Sequence, residues 1–298
     1  MTTPIAHSAL IETLIERLRE SYPFPDRAAH AASRLRTGLA DGSYDMPLGP
    51  DLCERISADL LAACDDKHLR LLWHESIEES QDEATLVAGM AELFRLENHG
   101  LRRVERLPEN LGLIELTVIP PAASAGPAIA AAMRLVEHTQ GLILDARAAR
   151  GGSPDGVAFL CSFLFPDGDV HLGDIVEGPA GPARQYWTSA HVPAPRYLDR
   201  PVYVLTSAST FSGGEELAYN LQALRRATVV GEVTRGGAHP SEVVSLSEHV
   251  ELRLPVARAV NPITGGNWEG VGVQPDMLTT AADALDVARR AARERIAA

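Results

Sequence analysis

The stretch that most restricts the possible fold is Val202 to Leu224. A short apolar, β-branched run, Val202-Tyr203-Val204-Leu205, gives way to Thr206-Ser207-Ala208-Ser209-Thr210-Phe211-Ser212-Gly213-Gly214, and apolar residues then recur at Leu217, Leu221 and Leu224 with helical spacing. The pattern predicts a buried strand, a tight turn of small residues and a helix. Ser212 stands at the turn. A helix starting there aims its first unpaired N–H groups, from Gly213 onward, at whatever the serine oxygen approaches, and its N-terminus favours negative charge. That is the context of a nucleophilic serine. Ser212-Gly213-Gly214-Glu215 equally spells a capping box, a purely structural device. Local sequence leaves both roles open.

The same grammar recurs upstream. Leu142-Ile143-Leu144-Asp145 leads through Arg147 into Gly151-Gly152, and Ser153-Pro154-Asp155 then supplies a cap and first turn for another helix. Val104 to Val118 reads as two strands split by Pro108-Glu109-Asn110, Pro120 to Ala125 as a loop, and Pro127 to Gly141 as an alanine-rich helix. A strand over 228–232 follows the serine helix. Strands alternating with helices predict right-handed crossovers and a parallel or mixed sheet. Near-strict alternation around Val243, Val244, Leu246, Val250, Leu252, Leu254 and Val256 predicts an antiparallel pair, and a terminal helix begins near Ala281.

The first hundred residues differ in character. Leu10, Ile11, Leu14, Ile15 and Leu18 form one helical stripe ended by Pro23 and Pro25. A second helix runs from about Pro25 to a glycine stop at Gly42, and a third from Pro50 to Cys64 buries Leu52, Ile56 and Leu60. Asp65 to Leu71 reads as extended, and Ser80-Gln81-Asp82-Glu83 as a capping box for a helix through Leu86, Met90 and Leu93. The expected division is a helical domain over 1–100 and an α/β domain over 101–298.

With 298 residues the chain can bury a large core, and a net charge of −13 argues against nucleic acid or an anionic membrane surface as partner. Cys53, Cys64 and Cys161 are odd in number, lie in apolar surroundings and lack zinc spacing, which fits buried thiols in a reducing compartment. The N-terminal stretch, interrupted by His7, Glu12 and Glu16, lacks the apolar core of a signal peptide, and no run reaches membrane-spanning length, so a cytoplasmic location is expected. Nothing in the sequence requires a cofactor or metal; a homo-oligomer is compatible with it.

Several motifs together resemble the S41 peptidase family, the tail-specific or C-terminal processing proteases, and most closely the branch related to interphotoreceptor retinoid-binding protein and the tricorn protease core. They are Tyr22-Pro23-Phe24-Pro25-Asp26, Asp66-Lys67-His68-Leu69, Leu144-Asp145-Ala146-Arg147 with Gly151-Gly152-Ser153-Pro154, Thr210-Phe211-Ser212-Gly213-Gly214-Glu215-Glu216, the run Val230 to Pro240, and Asn267-Trp268-Glu269-Gly270 continuing to Asp276. The resemblance implies a crotonase-like α/β core of the ClpP/crotonase type behind an N-terminal helical bundle, without an inserted PDZ module. It places Ser212 at the nucleophile, with Ser207 and Ser209 in second rank, and implies an oxyanion hole from Gly213 with Gly151 or Gly152, although Ala149 and Arg150 replace the usual asparagine and glycine.

Departures from the family pattern concern the base. The lysine of the bacterial processing proteases is here Gly237, which has no side chain to take a proton, and Arg235 nearby stays protonated at any working pH. In the tricorn-like arrangement a histidine on the strand 112–116 acts with a glutamate corresponding to Glu269, and this chain has Glu115 where that histidine is sought. A buried carboxylate such as Glu115 can serve as a weaker base. His68 and His239 are the rival imidazoles. Two functions remain: a serine hydrolase acting on a peptide or other acyl substrate through Ser212, or a non-proteolytic protein that uses the fold to bind, isomerise or cyclise an apolar small molecule.

Overall fold

The computed structural model describes residues 4–75 and 83–297. In chain order the elements are α1 (Pro4–Ser21), α2 (Pro25–Ala40), α3 (Pro50–Cys64), β1 (Arg70–Trp73), α4 (Glu83–Leu96), β2 (Leu101–Leu107), β3 (Leu111–Leu116), α5 (Ala122–Leu135), β4 (Gly141–Asp145), α6 (Pro154–Ser162), β5 (His171–Glu177), β6 (Ala183–Trp187), β7 (Val202–Thr206), α7 (Gly213–Ala223), β8 (Thr228–Gly231), β9 (Ser241–Ser245), β10 (Val250–Pro255), β11 (Ala257–Val260), β12 (Met277–Leu278) and α8 (Ala284–Ala297). The capping box expected at Ser80 to Glu83 lies outside the described residues. The chain divides into two compact units.

The first unit takes residues 1–81, 175–184 and 239–259, where the sequence suggested one boundary near residue 100. The three N-terminal helices form as their apolar spacing predicts, with Pro25 and Pro50 at the starts of α2 and α3. Asp41 closes α2, and Gly42 follows at φ +79°, the left-handed position that glycine occupies at least cost. The bundle is not closed on itself. Leu14, Leu18, Leu35, Leu52, Ile56 and Leu60 share one core with Val250, Leu252 and Leu254, which arrive from β10 in the antiparallel sheet β1-β10-β9. Leu71 of β1 pairs with Leu252, joining the sheet across a long stretch of sequence.

The second unit takes 82–174, 185–238 and 260–298. Its six-stranded sheet has the order β12-β8-β7-β4-β3-β2, parallel except for β2. All five residues of β4 and of β7 are buried, the signature of parallel strands covered on both faces. On one face Leu113, Ile143, Leu205 and Val230 meet Ala284, Ala288 and Ala292 of α8. Small residues on α8 let the helix approach closely. The architecture is the mixed α/β layering expected from the sequence.

One boundary moved. α5 begins at Ala122, so Pro127 lies inside it rather than opening it. The cause is tertiary: the Ala122 N–H donates to Asp155 Oδ2 at 2.9 Å, so a side chain from α6 satisfies an amide that the local sequence leaves unpaired. Short strands with crossover helices bring three strand ends, those of β3, β4 and β7, to one edge of the sheet.

Candidate active site

At that edge the loop after β7 is tied to the loop after β4. Ser207 Oγ donates to the Arg147 carbonyl at 2.7 Å, Thr210 Oγ1 to the Ala146 carbonyl at 2.9 Å, and the Phe211 N–H to the Ala149 carbonyl at 2.9 Å. Ser207, a second-rank nucleophile, is therefore occupied as a strut. Ser212 follows with φ 50° and ψ −117°, a conformation that L-residues rarely adopt, and α7 begins at the next residue. Such strain costs about 1–3 kcal/mol and persists only where surrounding contacts impose it.

Those contacts are visible. A Cβ on Gly213 would lie 2.7 Å from the Gly152 nitrogen, and one on Gly214 would lie 2.8 Å from Ala149 Cβ. Glycine is required at both positions by close approach of the neighbouring loop. Gly151, at φ +150°, places its backbone beside the serine: a Cβ there would stand 3.7 Å from Ser212 Cβ and 4.0 Å from its Oγ. The N–H groups of Gly151, Gly152 and Gly213 make no hydrogen bond among the described residues. Their position beside one strained serine suits an oxygen that develops negative charge. Ala149, buried, packs on Gly214, and so fills the place where the family pattern differs.

The capping box also forms, and it does more than cap. Glu215, fully buried, accepts from the Ser212 N–H at 2.7 Å and the Gly237 N–H at 2.9 Å through Oε2, and from Thr234 Oγ1 at 2.5 Å and the Gly236 N–H at 2.6 Å through Oε1. Burial raises the Glu215 pKa, and the four donors oppose that rise. One carboxylate thus fixes both the backbone of Ser212 and the loop at Gly237. The next residue, Glu216, is buried too, and desolvation with the nearby Asp155 charge pushes its carboxyl up to about 8.

In the first unit the two rival histidines meet one carboxylate. Asp66, fully buried, accepts from Tyr22 Oη at 3.1 Å and lies 2.8 Å from His239 Nδ1 through Oδ2, while Oδ1 accepts the His68 N–H at 3.0 Å and lies 3.7 Å from His68 Nδ1. Burial alone would raise the Asp66 pKa, but hydrogen bonds from His239 and His68 outweigh it and hold the carboxyl well below the usual range. The His239 ring also packs against Phe24, centroids 5.1 Å apart. The Tyr22-to-Asp26 and Asp66-to-Leu69 motifs therefore serve one cluster.

Glu269 Oε2 accepts from the Ala238 N–H at 2.5 Å, and Trp268 Nε1 donates to the Gly237 carbonyl at 2.9 Å. The Asn267-to-Gly270 motif is thereby clamped onto the segment that carries Gly237. Glu115 pairs across the strands with Arg103, in ion pairs of 3.5 Å to Arg103 and 3.4 Å to Arg102, so its oxygens are already engaged. Cys53, Cys64 and Cys161 are free and buried, and desolvation raises all three thiols. No described helix is long and apolar enough to cross a membrane. Asp66 and Thr234 both stand inside motifs named above, but their roles as shared hydrogen-bond partners come from residues far apart in sequence, His239 for Asp66 and Glu215 for Thr234.

A carboxy-terminal-processing protease of Bartonella bacilliformis is 32% identical over 80 residues, which cover 27% of this chain and only 18% of that protein. Among solved structures, a candidate peptidase from Parabacteroides merdae superposes with a TM-score of 0.69 at 19% identity, covering 100% of this chain and 98% of that one. Mature CPAF, solved with lactacystin, gives 0.66 at 12% identity over 97% and 98%. These structural likenesses establish the fold. The family model described as peptidase family S41 matches residues 110–279, more than half the chain and the whole span from β3 to β12, and the chain therefore belongs to peptidase family S41.

Proposed function

We propose that the protein is a serine peptidase in which Ser212 attacks the carbonyl carbon of a peptide bond. The observation that carries this reading is the backbone of Ser212: a non-glycine residue at φ 50° between a buried strand and a helix, with three unpaired glycine amides beside it. A capping serine alone needs no such strain. In the proposed reaction the hydroxyl proton passes to an imidazole, and the oxyanion is held by the Gly213 N–H and that of Gly151 or Gly152. The amine then leaves with the proton, and water hydrolyses the acyl-enzyme. His239 and His68, the two imidazoles that the sequence offers, are the candidates for that proton carrier, and the variants below test each. Glu269 orients the imidazole or anchors substrate.

The matched processing protease and the peptidase family together support a peptide substrate. Three free buried thiols support a reducing, cytoplasmic setting. The second reading, a non-proteolytic binding protein or isomerase for an apolar small molecule, draws support from Gly237, which removes the usual base. A fluorophosphonate probe separates the two. Labelling of the intact protein that is lost in Ser212→Ala, and reduced at least about 100-fold in His239→Asn or His68→Asn, supports the peptidase. Absence of labelling at every pH from 6 to 9, with the fold intact, refutes it.

A further inference from the structure

Opposite the serine edge of the sheet, the second unit carries a polar cleft of about 670 Å³ whose walls include Arg200, Arg225, Arg226 and Arg295 against two acidic residues, Asp199 and Asp276. In a chain of net charge −13, four guanidinium groups around one cleft are a local reversal of sign. The cleft opens where β7 and β8 start, at Val202 and Thr228. Ser212 follows the other end of β7, so at ~3.3 Å per strand residue the cleft lies ~13 Å or more from the nucleophile.

The four cations divide into two kinds. Arg226 donates through Nε to the Leu164 carbonyl at 2.7 Å and through Nη2 to the Tyr197 carbonyl at 2.5 Å. Arg200 donates through Nη1 to the carbonyls of Glu137 and Thr139, at 2.6 and 2.7 Å, with its guanidinium 3.9 Å from the Tyr197 ring centre. These two are held in place by backbone carbonyls; of the two carboxylates on the cleft wall, Asp199 acts on Arg226 through its charge. Arg225 and Arg295 make no side-chain hydrogen bond or ion pair among the described residues, and both are exposed. Asp276, by contrast, is committed: it accepts from Gln222 Nε2 at 3.0 Å and the Val229 N–H at 2.7 Å.

Arg225 is placed at some cost. It follows the last residues of α7 with φ 53°, the left-handed position where glycine is usual and a side chain costs about 1 kcal/mol or more. Arg225 lines the cleft from that position. Arginine presents a planar fork of donors that matches phosphate oxygens two at a time. We infer that this cleft is a binding site for a small phosphate-bearing anion, with Arg200 and Arg226 supplying fixed field and Arg225 and Arg295 closing on the phosphate oxygens.

Inorganic pyrophosphate is the probe, with citrate as a carboxylate of similar charge and sodium chloride at matched ionic strength. The full chain is titrated by calorimetry and by thermal melting, alongside the double variant Arg225→Gln/Arg295→Gln. Since neither side chain bonds to a described residue, the unliganded variant is expected to melt with the wild type. The expected result is saturable binding of pyrophosphate by the wild type, tighter than that of citrate, and weakened at least 10-fold in the double variant. The inference is overturned if the wild type shows no saturable binding, if citrate or chloride stabilises equally, or if the double variant binds as the wild type does. None of these readouts depends on peptidase activity.

Discussion

Glu216→Gln tests the electrostatics beneath the serine most directly. Glu216 is buried beside Asp155, and desolvation, with that neighbouring charge, lifts its carboxyl from an ordinary 4.5 to about 8. The sign follows from linkage. An unfolded chain releases this proton near pH 4.5, whereas the folded chain keeps it until about pH 8, so rising pH across that window destabilises the fold. Each pH unit is worth about 1.4 kcal/mol, which sets a ceiling of about 5 kcal/mol above pH 8. Relaxation and water penetration reduce such ceilings, and about 2–4 kcal/mol is expected. Glutamine is a neutral isostere and removes the term. Urea unfolding of both proteins at unit steps from pH 5 to 9, with equal m-values as a control, should show curves that nearly meet at pH 5 and diverge upward, the variant being more stable. Glu215 and Asp66 are common to both and cancel. Parallel curves would refute the reasoning, because they would mean that Glu216 is ionised in the folded protein at all these pH values or reaches solvent.

Two further predictions concern the strained turn. Ser212→Gly relieves the left-handed conformation and should raise stability by about 1 kcal/mol after the entropy of glycine is subtracted, while abolishing fluorophosphonate labelling; equal or lower stability in thermal melts would deny the strain. Glu215→Gln puts an amide donor against N–H and O–H groups that already point inward. It should cost about 2–4 kcal/mol and lower kcat more than it raises KM, and an unchanged kcat in a folded variant would remove its positioning role.

Much of this architecture is legible in the sequence where a single segment carries its own reason. The stripe from Leu10 to Leu18, the prolines at 25 and 50 and the strand-turn-helix at Ser212 are local patterns, and the elements form where they predict. What sequence conceals is supplied from far away. α5 starts early because Asp155 reaches its first amide. Asp66 gathers Tyr22 and His239 from segments 44 and 173 residues away, besides its near neighbour His68. Glu215 reads as a cap residue because its match to Ser212 is three residues long, while its other partners, around Gly236, lie beyond α7 and β8. The left-handed φ of Ser212 has no sequence signature either, since it is imposed by the backbone of another loop.

The first unit draws its core from segments on both sides of the sheet-forming unit, and this bears on how the protein is made. Leu252 and its neighbours on β10 seal helices that leave the ribosome much earlier. At synthesis rates of ~5–20 residues per second, α1 to α3 wait on the order of ten to forty seconds with an apolar flank uncovered. During that interval they are natural clients for a holding chaperone. An N-terminal fragment expressed alone would therefore be retained by chaperones or aggregate, and co-expression of the residues from 239 to 259 would be the way to rescue it.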